Sequence, residues 1–458
     1  MTGTQLREPT RVSSPWLLGC TRELLRDPLG LGMRAFEECG DVARYDPGPL
    51  GPRRPNFGVN HPDGAARVFS AATYRDYRKD SRFFGPLRDL YGDGLLTSQD
   101  ETWLRQRRFI QPLFITRSVD GYATVMAREV DRLSGEWRGQ PDSEVVDLHA
   151  EIVRLTLRIV ARVLFGADAE RMLPVVRADF PVLGRAALRR FTVPYPAPLS
   201  WPTPANRRIA RARARIAAVC DEIIADRQAA TTPGEDLIGR LIAARDGSEA
   251  LSDKEIRDQI RIFLFAGHDT TATLVTFALY LLGRDAQAQE RVRREAERQL
   301  PEAPPTTADL AALGETTMVL KEVARLYPPA PYVSRVSVRD SEICGYRIPA
   351  HSDVTVSPWV IHHRADLWPD PFRFDPHRFA PGKEDERHKF AWLPFGHGPR
   401  GCIGERFAML EAGIAVARLV RDFEFVTPPG DIQLTTDLVL HPVGPVPCRI
   451  RCRAQVRR

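Results

Sequence analysis

Residues 395–404 read Phe395-Gly396-His397-Gly398-Pro399-Arg400-Gly401-Cys402-Ile403-Gly404, and no other segment limits so sharply what the chain can become. Glycine and proline at this density exclude the interior of a helix or a strand. What they permit is a tight loop whose main-chain N–H groups approach one sulfur, that of Cys402. Amide hydrogen bonds and a dry shell around a thiolate tune its basicity and the potential of the metal it holds. An isolated cysteine is more often a small buried hydrophobe. A zinc site built on His397 and Cys402 would want four ligands, and no C-x-x-C or H-x-x-x-H spacing is nearby.

Three further segments carry chemistry. Apolar residues at Ile256, Ile260, Phe263, Leu264, Leu274, Phe277 and Leu281 predict a long, largely buried helix over Glu255–Leu282. Inside it lies Ala266-Gly267-His268-Asp269-Thr270-Thr271. Ala266 and Gly267 remove bulk where another group approaches. Thr270 can bond back to the Ala266 carbonyl and bend the helix, and Asp269 is a carboxylate that needs a partner or a purpose. Glu322 and Arg325 share a helix face at i,i+3, ahead of the helix-ending Leu326-Tyr327-Pro328-Pro329. Trp103 and Arg107 stand four apart on one helix face.

The cysteine loop fills every specified position of F-x-x-G-x-R-x-C-x-G, and with these segments, in the same order, the chain resembles the cytochrome P-450 superfamily of haem-thiolate monooxygenases from about Trp16 to Arg451. The resemblance implies a mainly α fold, a triangular helix-rich domain with small β-sheets. It implies haem b with Cys402 as axial thiolate, cradled by Phe395, Arg400 and Gly404, with Ala266 and Gly267 against the ring. It assigns Trp103, Arg107, Arg335 and Arg400 to the haem propionates, as guanidinium forks suit carboxylates. Thr270 would hydrogen-bond the bound dioxygen and Asp269 would relay protons from solvent. Glu322, Arg325 and Arg378 would be structural. His377 departs from the family's P-E-R-F, at a side chain that does not pair. The segment Glu405–Glu411 looks like the helix that continues below the haem.

Implied too are a C–H or alkene oxygenation and NAD(P)H electrons. No flavin or iron–sulfur module follows Arg458, so delivery through a separate ferredoxin (or flavodoxin) and its reductase is expected. Substrate-facing positions by the same resemblance are Phe83–Leu90, Phe263, Ala266, Thr270, Tyr332-Val333 and Leu438-Val439, which are mainly apolar. Arg26-Asp27-Pro28-Leu29, Cys39-Gly40-Asp41-Val42 and Pro204-Ala205-Asn206-Arg207-Arg208 look similar to bacterial terpene-hydroxylating members, so a terpene or other secondary metabolite is the expected substrate. Fatty acids and polyketide or macrolide cores are alternatives. Asp269-Thr270 argues against a peroxide-driven hydroxylase, and against a non-catalytic haem-binding protein. The lack of a D-D-x-x-D cluster argues against a terpene synthase.

Composition sets the remaining limits. The 458 residues show no Gly/Ser linker, low-complexity tract or repeat, so one domain is expected over 15–458 after a flexible segment 1–14. Seven scattered cysteines argue against a disulfide framework and for a reducing bacterial cytoplasm. Trp16–Cys20 is too short an apolar run for a membrane anchor, so the microsomal type is disfavoured. The net charge of +6 comes without a nucleic-acid motif. Arg105, Arg108, Lys389 and Arg406 are candidates for a face that docks an acidic electron carrier, and a monomer is expected.

The coarse pattern predicts a helix over Leu29–Cys39, strands at Val42–Tyr45 and Phe57–Val59, and mainly helix over 101–330. The Pro-rich run 192–204 breaks it, as either a rigid connector or a lid. Strands are predicted within 335–358, turning at Gly345-Tyr346, and within 421–452.

Overall fold

The computed structural model describes residues 6–453 apart from 17–18, 49–53, 142–143, 194–195, 231–233, 302 and 437. Helices dominate from Asp100 to Leu326, as the apolar spacing predicts. One strand interrupts them, Val145–Asp147, too short to leave a periodic signature. It pairs with Pro447–Cys452, which pairs with Phe423–Val426, so the end of the chain closes on its middle. The Asp147 carboxylate caps the Leu148–Phe165 helix through the His149 and Ala150 N–H groups and also accepts from Val446 N–H, which fixes that closure.

The larger sheet has six strands in the order Thr10–Arg11, Val42–Tyr45, Asn56–Val59, Asp353–Val356, Val333–Ser337, Tyr77–Arg78. Two expectations change here. Part of the segment expected to be flexible is structured: Thr10–Arg11 pairs parallel with Ala43–Arg44 and Val12 is buried, while residues 1–5 lie outside the described residues. The hairpin expected at Gly345-Tyr346 turns at Cys344-Gly345, both with positive φ (51° and 79°), and Tyr346 already opens the second strand.

The helix expected over 255–282 is two. A Ser252–Glu255 capping box starts the first, Asp253–Gly267; the second is Asp269–Leu282, and His268 is the joint. The Thr270 hydroxyl donates to Ala266 O (2.7 Å) and the Thr271 hydroxyl to Gly267 O (3.2 Å), in competition with the main-chain ladder at that point. Gly267 also lets the helix pass Leu148–Phe165 closely, since a Cβ there would sit 3.2 Å from Val160. This 253–282 span is long and apolar enough to cross a membrane, yet 67% of its most apolar window is buried inside the protein.

The charged cluster read from the sequence assembles. Arg325 holds Glu322 through two bonds of 2.7 and 2.8 Å with both side chains fully buried, and Arg378 Nε stands 3.4 Å from the same carboxylate. Arg325 also donates to the His362, Pro371 and Arg373 carbonyls, and His362 Nε2 accepts from Leu393 N–H at 2.8 Å. The ion pair thus ties the Gly314–Leu326 helix to the chain just ahead of the cysteine loop. Its burial serves a fixed geometry more than net stability.

The Pro-rich run joins the helices Ala169–Thr192 and Pro204–Ala229. Arg190 donates to Ala197 O (2.8 Å), and Asn206 to Pro198 O and Trp201 O (2.7 and 2.9 Å). These bonds are those of a pinned connector; Pro194 and Tyr195 of the run lie outside the described residues.

One buried acid stands outside this logic. Glu411, in the Glu405–Asp422 helix, is fully buried with neither carboxyl oxygen hydrogen-bonded to protein, and desolvation holds its pKa well above the carboxylate range. The folded chain therefore keeps a proton that the unfolded chain sheds above a pKa of about 4.3. Stability must fall as pH rises from that value toward the folded pKa, by up to ~1.4 kcal/mol per pH unit. Glu411→Gln removes this titration. Denaturant unfolding of both proteins across pH 5–8 should show the variant gaining on the parent as pH rises; a constant difference would contradict the assignment.

Candidate active site

The cysteine loop is shaped by its glycines. Gly396 and Gly398 have φ of 65° and 69°, and a Cβ on Gly398 would lie 1.8 Å from Phe69 O, so only glycine fits there. Cys402 N–H donates to Phe395 O at 2.8 Å, which closes the loop. Gly404 N–H points at the sulfur. Burial pushes the Cys402 thiol up to about 11, against the pull of Gly404 N–H, Lys79 and Arg107. Cys402 lines a cavity of about 340 Å³ and is exposed to it.

Opposite the sulfur stands the joint of the central helix. Phe263, Ala266, Gly267, Thr270 and Thr271 line the cavity, with Phe83, Phe84, Leu87, Tyr332, Val333, Leu438 and Val439 from other segments. The substrate-facing set read from the sequence is therefore largely gathered around one cavity. Asp269 does not line the cavity. Its carboxylate turns to His268 Nε2 at 3.1 Å, which holds it below the usual carboxylate range despite desolvation. A neighbouring cavity of about 300 Å³ shares Phe83, Tyr332, Ser334 and Leu438 and is bounded by Asn56, Asp353 and Thr355 of the large sheet and by Leu188 and Phe191.

Cations gather at one edge. Arg335 and Arg400 line the main cavity, and so does Lys79, which the sequence reading missed. In the sequence Arg78-Lys79-Asp80 looks like a solvated charge run; the fold buries Lys79, with Nζ donating to Leu96 O at 3.2 Å and 5.1 Å from the Phe84 ring centroid. Arg400 donates to Ser98 O (2.6 Å) while its Nη1 is buried without a partner. Trp103 and Arg107 stand behind this wall. Trp103 supports Arg400 at 4.3 Å and Arg107 at 5.7 Å from its ring centroid. Desolvation lowers Arg335 to about 9, Arg400 to about 10, and Lys79 well below its ordinary value. Among the described residues none of these four cations is in an ion pair.

This donor set fits a haem. A soft sulfur faces a flat apolar space, and buried cations wait at one edge for carboxylates. A coordinated iron would keep the thiol deprotonated where the protein alone does not. Arg335→Leu should therefore speed haem transfer to apomyoglobin by roughly 10- to 100-fold, the loss of one or two charge-assisted hydrogen bonds. An unchanged transfer rate would show that Arg335 holds no carboxylate.

Two docking expectations are corrected. Arg105 pairs with Glu249 and Glu255, and Arg108 with Asp246, so neither offers a free positive charge. Lys389 and Arg406 are exposed and, among the described residues, form no ion pair. The described residues contain no group of three or more His, Cys, Asp or Glu able to hold a metal ion, and no disulfide.

Comparison with known proteins accords with this site. The sequence model of the cytochrome P-450 family matches residues 13–448. The chain is 35% identical to cyclooctatin synthase of Streptomyces melanosporofaciens over 422 residues, 90% of this chain and 89% of that one. It is 32% identical to cyclooctat-9-en-7-ol 5-monooxygenase of the same organism, over 94% of this chain and 92% of the other. To pentalenene oxygenase of Streptomyces avermitilis the identity is 29%, over 93% of each chain.

Proposed function

The chain belongs to the cytochrome P-450 family and is a monooxygenase, and from that premise we propose that it hydroxylates a terpene or a similar secondary-metabolite skeleton. The observation that carries the proposal is the set of aromatic and aliphatic side chains that line one cavity with Cys402, which suits a rigid hydrocarbon held by shape. The names of the relatives support it, since they specify cyclooctat-9-en-7-ol and pentalenene as substrates. The polar strand residues of the neighbouring cavity, Asn56 and Thr355 among them, leave room for one oxygenated end.

The family implies haem with cysteine thiolate ligation, and we assign that role to Cys402. When bound, the haem supplies dioxygen activation: one atom enters the substrate and the other leaves as water, with two electrons and two protons consumed. The protein's own residues do the rest. The cysteine loop shields the sulfur from bulk water and fixes its position through Phe395 O and Gly404 N–H. Lys79, Arg107, Arg335 and Arg400 would hold the haem carboxylates. Thr270 presents a hydroxyl to the cavity from the helix joint, and Asp269, one residue back and out of the cavity, passes it protons from the solvent side. Electrons come from NAD(P)H through a ferredoxin or flavodoxin and its reductase, docked near Lys389 and Arg406. The enzyme works as a single cytoplasmic domain and a monomer.

The test is an absorbance titration of the purified holoprotein against sesquiterpenes, diterpenes, fatty acids and macrolide cores. A low- to high-spin shift with the terpenes alone supports the proposal. A shift with another class alone replaces the substrate, and no haem absorbance after reconstitution removes the whole reading.

A further inference from the structure

His268 occupies the joint between the two helical segments, is almost wholly buried, and has both ring nitrogens engaged. Nδ1 lies 2.6 Å from Leu264 O, which can only accept, so Nδ1 carries a proton. Nε2 lies 3.1 Å from Asp269 Oδ1. A bare Nε2 lone pair facing a carboxylate oxygen would repel it, so a second proton lies between them. With Asp269 ionised, the ring is a doubly protonated imidazolium.

Among the described residues His268 is the one cation within hydrogen-bond distance of the Asp269 carboxylate, while His149 and His441 act on it from farther away. The other titratable groups that interact electrostatically with Asp269 are His149 from Leu148–Phe165, His441 from Leu440–Pro442 and Tyr91 from Phe84–Tyr91. Burial keeps His149 toward its neutral form and Tyr91 protonated. Thr273 meanwhile ties the second helical segment to Leu440 O at 2.8 Å.

We propose that His268 is a positioning residue for proton delivery: its imidazolium holds the Asp269 carboxylate ionised beside Thr270 and sets the pH above which delivery fails. The proposal rests on the reading that Asp269 and Thr270 carry protons into the cavity. Below the pKa of His268, which Asp269 raises above its ordinary value, Asp269 can accept a proton from the solvent side and pass it on. Above it the imidazolium charge is lost, the Asp269 carboxylate loses the partner that fixes it beside Thr270 and turns to solvent, and reduced oxygen escapes as peroxide.

The experiment needs no known substrate. Holoenzyme turning over NADPH with a surrogate ferredoxin and ferredoxin reductase reduces dioxygen either to hydrogen peroxide, with two electrons and two protons, or to two waters, with four of each. The peroxide fraction therefore reads proton delivery. It is measured across pH 6–9 for the wild type, His268→Gln, His268→Asn and Asp269→Asn. In the wild type it should rise with pH through the His268 titration. In both His268 variants it should be high and flat, with water formation down about 10-fold at neutral pH. Asp269→Asn should be high at every pH. If Asp269→Asn leaves the fraction unchanged, the relay reading itself fails. If Asp269→Asn raises it while a folded His268 variant keeps the wild-type pH profile, the role of His268 is overturned and the relay stands. Imidazole nitrogen NMR of the wild type decides should neither His268 variant retain haem: a neutral His268 ring at pH 7 overturns the proposal, and a doubly protonated one upholds it.

Discussion

Cys402→Ala yields a folded protein that has lost its monooxygenase activity and the thiolate-type spectrum of its reduced carbon monoxide complex. The expectation follows from what the sulfur touches. Cys402 is exposed and lines the cavity, so removing its sulfur opens little void in the core. The loop itself is held by bonds that do not involve the side chain, namely Cys402 N–H to Phe395 O and Gly401 N–H to Gly398 O (3.0 Å). The preceding segment is anchored by His362 and, through it, by the Arg325 pair. The change is thus chemical: an axial donor that pushes electron density and favours O–O cleavage disappears. Unfolding midpoints should move by less than about 1 kcal/mol, while NADPH-driven product formation drops to background. Cys402→Ser separates the donor from the space it fills, since a hydroxyl keeps the volume without the soft, readily ionised sulfur. Either variant retaining the thiolate spectrum would mean that another residue is the ligand.

How much of this was legible beforehand depends on where the information resides. The bend at Thr270 was readable because its cause is local: a hydroxyl four residues from the Ala266 carbonyl competes with one main-chain bond. Glu322 and Arg325 were readable for the same reason, and a family pattern supplied Arg378. Lys79 was not. Nothing within ten residues marks it as different from Arg78, and only the pairing of Tyr77–Arg78 with Val336–Ser337 carries it inward against Phe84 and beneath Arg335. The false promise of Arg105 and Arg108 has the same origin, because the acids that neutralise them lie about 140 residues away in sequence and only the fold makes them neighbours. His268 fell between the two cases. It is adjacent to the acid it holds, but its engagement shows only once both ring nitrogens have partners. Functional residues that act on a chain neighbour leave a sequence signal; those that act on a cofactor edge or a partner surface leave one only through family resemblance.

Thr270→Ala should leave haem binding and fold intact and divert most of the NADPH consumed into peroxide. The hydroxyl donates to Ala266 O at 2.7 Å, and Thr270 lines the cavity at the joint. Its removal deletes the cavity-lining hydroxyl next in the chain to Asp269; the Thr271 hydroxyl, bonded to Gly267 O at 3.2 Å, stands one residue farther on. Without it a proton must come from water that enters unguided, and loss of a positioned acid–base group costs roughly 100-fold or more. Reduction of dioxygen and consumption of NADPH continue, so the effect appears as lost coupling rather than lost electron flow. Two competing outcomes have distinct signatures. If the hydroxyl mattered only for the bend, Ala would restore the Thr270 N–H to Ala266 O ladder bond, straighten the helix and shrink the cavity, and ligand-induced spin shifts would weaken along with coupling. If it matters for protons, spin shifts stay as in the parent and Thr270→Ser, which keeps the hydroxyl, recovers much of the coupling. Product formed per NADPH, measured beside a spin-state titration for parent, Ala and Ser proteins, separates the two. Unchanged coupling in a well-folded Thr270→Ala protein would remove the residue from the mechanism.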